Sequence, residues 1–171
     1  ILSRDGLTQR LESSQPAGAS ERLCRINQHF NAASGFQTDA LLLFPALGSL
    51  AIVRRMLGDD TPIQHITELE QDALAEIGNI IINSCMSSLA NLFKTEMTGS
   101  LPRVQSRTVA SLLDDKDASD VILVARIGMS MAAHNLSGFV LFIMDVPSIE
   151  NFMAQVSRLF HLPEPGESPV L

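Results

Sequence analysis

Four polar side chains on one stretch of this chain have types and spacing that could do chemistry. Between Ile66 and Phe93 the sequence reads ITELEQDALAEIGNIIINSCMSSLANLF, and within it Asp72, Glu76, Asn79 and Asn83 follow one another at intervals of four, three and four residues. At about 100° per residue these intervals bring all four side chains back to one helix face, within about 60° of arc. A carboxylate accepts hydrogen bonds, and a carboxamide both donates and accepts them but is too weak a base to take a proton outright. Such a ridge can dock and orient a polar reactant rather than attack it. The ordinary alternative is the solvated face of an amphipathic helix. Against that alternative, asparagine is a poor helix former, yet Asn79 and Asn83 stand mid-helix where lysine or glutamine would be the stabilising choice.

The element that must carry this ridge announces itself well. Thr67 is placed to be its N-cap, Glu70 three residues on is the reciprocal partner of a capping box, and acidic residues gather in the first turn. Leu74, Ile77, Ile81, Cys85 and Leu92 fall on the other side and are expected to face a sheet. Gly78 lies nearer that apolar flank. It costs about 1 kcal/mol against alanine in a helix interior, which a close approach of backbone to sheet would justify.

The sheet is expected from two similar stretches. Leu23 to Phe30 and Ala40 to Phe44 read as strands joined by a polar turn at Ser34 and Gly35, with Pro45 ending the second. A helix then opens at Ser49 and stops at Gly58, where a glycine C-cap belongs. Val121 to Ile127, a turn around His134 to Gly138, the strand Phe139 to Met144 and a helix from Ile149, after Pro147 and Ser148, repeat that order. Leu41 to Phe44, Ser49, Leu50, Val53 and Leu57 each meet a like residue 99 positions later. With one gap, SRDGLTQRL at Ser3 to Leu11 also resembles SRTVASLL at Ser106 to Leu113. These matches imply an internal duplication, with half one over 1–58 and half two over 66–160. The first half begins where a counterpart of the long helix would have ended, so the N-terminal helix of half one is expected to be missing and the chain to be truncated there. Residues 163–171 carry three prolines and little to bury, and are expected to form an extended or mobile tail beyond a single domain over 1–162.

Composition narrows the field. The chain has 171 residues, 46% of them hydrophobic, enough for one substantial core. A net charge of −7 with no basic stripe argues against nucleic acid as a partner. The longest apolar runs are strand-sized, well short of the roughly 18–20 residues a membrane helix needs, and no secretory signal is visible, so a cytoplasmic location is expected. Cys24 and Cys85 sit in apolar stretches without a CxxC pairing, which suits buried thiols in a reducing compartment. His29, His65, His134 and His161 show neither HxxxH nor HExxH spacing, and each reads as a strand, cap or surface residue rather than a metal ligand. There is no GxSxG elbow, no P-loop and no GxGxxG after a strand.

The string DALAEIGNI at Asp72 to Ile80 resembles the motif of the CheC, CheX and FliY family of chemotaxis phosphatases: aspartate or serine, three residues, glutamate, two residues, asparagine. SGFQTDALLLFPALGSLAIVRRMLG before it and GFVLFIMDVPSIENFMAQV after it look like that family's repeated strand-helix units, so the resemblance runs from Leu7 to Phe160 and is closest to CheC-like proteins. It implies an α/β (α+β) fold of pseudo-twofold halves with the motif helix on a shared antiparallel sheet. It also implies hydrolysis of the aspartyl-phosphate of a CheY-like response regulator. In that scheme Asn79 orients the attacking water, Glu76 anchors the helix by accepting hydrogen bonds from the regulator's lysine, Asp72 contacts the partner's rim, and Asn83 either supports Asn79 or faces water. No cofactor of the chain's own is expected, Mg²⁺ belonging to the regulator. A CheD-like deamidase and a second copy of the chain stay open as further partners. Two other readings stand beside the phosphatase: a module that binds a response regulator or the flagellar switch without hydrolysis, and a structural or dimer-forming domain of a larger signalling protein.

Overall fold

The computed structural model describes residues 4–13, 22–45, 53–54, 58, 67–116, 120–131 and 134–161. In chain order the elements are α1 (Arg4–Ser13), β1 (Leu23–Ala32), β2 (Gln37–Pro45), α2 (Glu68–Phe93), β3 (Met97–Gly99), β4 (Arg103–Arg107), β5 (Val121–Met131), β6 (His134–Met144) and α3 (Val146–Phe160). The six strands form one sheet in the order β3-β1-β2-β6-β5, with β4 also paired to β1. Every pairing is antiparallel.

Alternation along the strands sends side chains to two buried faces. Cys24, Ile26, Phe30, Ala40, Leu42, Phe44, Val140, Phe142 and Met144 pack under Leu74, Ile82 and Met86 of α2 and Ile149 and Phe152 of α3. On the reverse face Leu23, Leu41, Leu43, Ile122, Leu141 and Ile143 meet Leu7 and Leu11 of α1 and Leu112 and Leu113 of the turns after β4. Strand β2 is therefore covered on both sides, which is why its sequence is an unbroken apolar run from Ala40 to Phe44 instead of an alternating one.

The centre of the sheet bears on the repeat. Leu41 pairs with Leu141 and Leu42 with Val140, so a shift of 99 positions carries each of these pairs into the other, as a two-fold axis between β2 and β6 requires. The α/β class, the antiparallel sheet and the motif helix on it are as expected from sequence. The β1–β2 turn is also as expected, with Gly35 at φ +98. Gly58 has φ +73, a left-handed conformation that glycine adopts without steric cost; residues 55–57, over which a helix would have to reach it, lie outside the described residues. Of the helix expected over 49–57 only Val53 and Arg54 are described, both helical. His65 and the 163–171 tail lie outside the described residues.

Several expectations are corrected. His134 to Gly138 form the start of β6, not a turn. Gly138 is there because a Cβ would come within 2.4 Å of the Phe44 ring and 2.5 Å of the Leu43 carbonyl oxygen; the glycine serves close strand approach, which sequence alone does not distinguish from a turn. Helix α3 begins before Ile149, capped by Asp145, whose carboxylate accepts from the Ser148 amide at 2.8 Å, with Pro147 in its first turn. The stretch Ser106 to Leu113 ends a strand and continues as turns, whereas its counterpart Leu7 to Leu11 is helical; the two share only the leucines they send into the second core. Strands β3 and β4 are too short to give a periodicity signal in the sequence, and both attach to β1.

Helix α2 spans 26 residues. By length and composition it could cross a bilayer, but here it lies on the sheet. Thr67 and Glu70 form the expected capping box, with the Thr67 amide donating to Glu70 Oε2 at 2.7 Å and the Glu70 amide donating to Thr67 Oγ1 at 3.2 Å. The same Glu70 carboxylate accepts from the buried Arg54 guanidinium, tying the helix start to the segment before it. At the far end Phe93 meets Phe36 and Phe152 edge to face, with centroids 6.3 and 5.4 Å away.

Candidate functional site

The height and rotation of α2 on the sheet are set at Gly78. A Cβ there would lie 2.5 Å from Cγ2 and 2.6 Å from Cδ1 of Ile26, so the bare backbone rests directly on β1. Leu74, Gly78, Ile82 and Met86 form the most buried line of the helix, flanked by Ala73, Ile77, Ile81 and Cys85. Leu92, expected on the inner side, is 48% exposed, because the buried line drifts around the helix away from it.

Around the helix from that line comes the polar ridge. Asp72 and Glu76 are exposed, and Asn79 and Asn83 are half-buried where the helix curves down to the sheet. All four expected site residues therefore share one flank, and none is packed inside the core. Asp72 and Glu76 make no ion pair among the described residues. Asn79 and Asn83 are joined directly: Asn83 Nδ2 donates to Asn79 Oδ1 at 2.6 Å and to the Asn79 main-chain oxygen at 2.8 Å. Leu69 and Ile80, 63% and 58% exposed, add apolar surface to the outer side of the helix.

The residue that sequence reasoning missed is Gln28 of β1. Its Nε2 donates to Asn79 Oδ1 at 3.0 Å and to the Ser100 carbonyl, also at 3.0 Å. Gln28 is buried in the register of Cys24, Ile26 and Phe30, facing α2. A glutamine at an inward position of an otherwise apolar strand face was the available signal. The contact exists because Ile26, two residues earlier on the same face, is where Gly78 touches down, which brings the next helical residue within reach of Gln28.

Neither cysteine offers a nucleophile here. Both are free thiols; Cys24 is buried, and burial pushes the Cys85 thiol up from its ordinary value, so at neutral pH it is protonated and weakly nucleophilic. Among the described residues no cluster of three or more histidine, cysteine, aspartate or glutamate side chains is arranged to hold a metal ion. His29 instead shares a hydrogen bond with Asp39 at 3.1 Å.

Known proteins carry the same fold. FliY from Thermotoga maritima superposes with a TM-score of 0.61 at 14% identity, over 89% of this chain and 77% of FliY. CheX from Borrelia burgdorferi, solved as a complex with CheY, BeF3 and Mg²⁺, superposes at 0.50 with 8% identity, over 83% of this chain and 95% of that one. A chemotactic CheC-like protein from Shewanella oneidensis matches 82% of this chain and 92% of its own at 16% identity, with a TM-score of 0.49. No curated protein sequence gives a significant match. What these structures share with this chain is the fold, an antiparallel sheet with a helix laid across it; here that helix bears a carboxylate and a carboxamide one turn apart. Residues 69–104, which hold nearly all of that helix, β3 and the start of β4, match the model of the CheC-like family.

Proposed function

We propose that this chain hydrolyses the aspartyl-phosphate of a phosphorylated CheY-like response regulator. The observation that carries the reading is the exposed Glu76 beside the half-buried Asn79 on the flank of a helix whose sequence matches the CheC-like family. The fold likeness to a CheX solved with CheY supports the choice of partner.

An acyl phosphate is already activated, so an enzyme that places water in line needs no nucleophile of its own. The water oxygen bonds to phosphorus, the bond from phosphorus to the aspartyl oxygen breaks, the carboxylate leaves with that electron pair, and the water's proton passes to the phosphate or to solvent. Asn79 orients the water, as a glutamine does in GTPases. Glu76 docks the helix by accepting charge-assisted hydrogen bonds from a regulator lysine. Asp72, about two turns before Asn79 on the same flank, contacts the partner's rim, and Leu69 and Ile80 supply apolar contact area. Mg²⁺ is carried by the regulator, and the domain acts in the cytoplasm where such regulators work.

The test is release of phosphate from a phosphorylated receiver domain. The wild-type chain is expected to accelerate it. Asn79→Ala should lose about 100-fold of that acceleration while still binding, because only placement is lost; Glu76→Ala should weaken binding itself. A wild-type chain that binds the phosphorylated receiver and leaves its decay unchanged is a binding module, and the hydrolytic reading fails.

A further inference from the structure

The hydrogen-bond network around Asn79 has a polarity that can be read without ambiguity. A carboxamide is nearly symmetrical in shape, so its oxygen and nitrogen are assigned from partners. Here both ends of the network are backbone carbonyls, which can only accept. The Ser100 carbonyl requires that the Gln28 atom facing it be Nε2, and the Asn79 main-chain oxygen requires that the Asn83 atom facing it be Nδ2. The one Asn79 atom that receives both of these nitrogens must then be Oδ1. Two donors use both of its lone pairs. What Asn79 has left to offer a reactant is its Nδ2, which donates to no described residue.

We infer that Gln28 is a positioning residue that, together with Asn83, clamps the Asn79 carboxamide so that Asn79 acts on the incoming water as a hydrogen-bond donor through Nδ2. The inference rests on the phosphatase reading for the identity of the reactant, but the clamp itself does not. A donor set against one lone pair of the water leaves the other lone pair free to point at phosphorus. The amide takes no proton, consistent with its weak basicity. Gln28 suits this role because it is held at 2% exposure on a strand, and its other bond, to Ser100, fixes where its nitrogen lies. Its own Oε1 is buried with no hydrogen-bond partner among the described residues. An unmet acceptor is disfavoured, so a methionine of similar shape should be tolerated by the fold.

Two readings of the full chain test this: the order of the Asn79 side-chain amide, from ¹⁵N relaxation, and kcat against KM for phosphate release from a phosphorylated receiver. Gln28→Met is expected to loosen the Asn79 amide and to lower kcat by about 10- to 100-fold with KM within about twofold, since a misplaced group harms the transition state more than docking. Asn79→Asp keeps an acceptor toward Gln28 and Asn83 but removes the outward donor, and should lose kcat to a similar extent. The proposal is overturned if Gln28→Met leaves the amide as ordered as in the wild type, if the amide loosens while kcat is unchanged, if only KM moves, or if Asn79→Asp retains wild-type kcat. Should Gln28→Met fail to fold, Asn83→Ala, on the helix flank, is read by the same two measurements with the same expectations. If the wild-type chain releases no phosphate at all, the hydrolytic reading falls, and amide order alone then decides the clamp: retained order refutes it, lost order upholds it.

Discussion

Single residues in this chain hold geometry in ways that differ in legibility. Lys94 closes α2 with φ +51 and ψ +43, a left-handed conformation that a residue with a Cβ adopts at a cost. Its backbone N–H caps the helix, and Lys94→Gly preserves that cap while removing the conformational penalty. The variant is expected to be more stable by about 1 kcal/mol, read from urea unfolding at neutral pH with an unchanged m-value. Thr67 and Glu70 were readable as a capping box because the partners are three residues apart. Gln28 was not readable as Asn79's partner, because they are 51 positions apart and meet only through the docking of helix on strand.

At the scale of elements, α2 and β1 make one unit whose closeness depends on Gly78. Replacing it with alanine improves helix propensity by about 1 kcal/mol, but the new methyl meets buried Ile26, and overpacking of this kind costs about 1–3 kcal/mol. Gly78→Ala is therefore expected to leave stability unchanged or lower it by up to about 2 kcal/mol, and to lower phosphate release further than the stability loss explains, because lifting the helix stretches the bond from Gln28 to Asn79. Thermal melts and receiver dephosphorylation on the same preparations check the pair; wild-type activity in a folded Gly78→Ala would show that this approach does not set the site. The helix itself was legible from caps, periodicity and the motif. The strands β3 and β4 were not, since three and five residues give no pattern, and their pairing to β1 is a tertiary choice.

At the scale of the molecule, three carboxylates among the described residues link stability to acid. The Arg54 hydrogen bond, reinforced by the Thr67 amide, holds Glu70 below its ordinary value of 4.5. The Arg25 guanidinium does the same for Asp115, with bonds of 2.7 and 2.8 Å, below the ordinary 3.8. Hydrogen bonds from Ser148 lower the exposed Asp145. Each titrates lower folded than unfolded, so the unfolded chain binds more protons once the pH drops below about 4.5. Stability from these groups is complete above that range and is lost as the pH falls through the depressed values. Glu70, 4% exposed, should dominate; Asp115, at 46%, is screened by water and contributes less. Urea unfolding at pH 7, 5, 4 and 3 should show a falling acid limb that Glu70→Gln flattens while also lowering stability at pH 7, by about 2 kcal/mol, as the charge-assisted bond to Arg54 is lost. An unaltered acid limb in Glu70→Gln would assign the linkage elsewhere.

What the amino-acid order determined by itself was whatever depends on neighbours along the chain: the capped helix, the apolar run of β2, the 99-residue echo, and the four side chains on one flank of α2. Helical and extended periodicities are local, so they survive without knowledge of the fold. The tertiary structure alone decided how far that flank is sunk toward the sheet, which atom of Asn79 is occupied, that Gly138 serves a strand contact, and that Arg25 finds Asp115. Each of these depends on groups brought together from distant positions, and the distance at which they meet is set by packing, which no periodicity encodes.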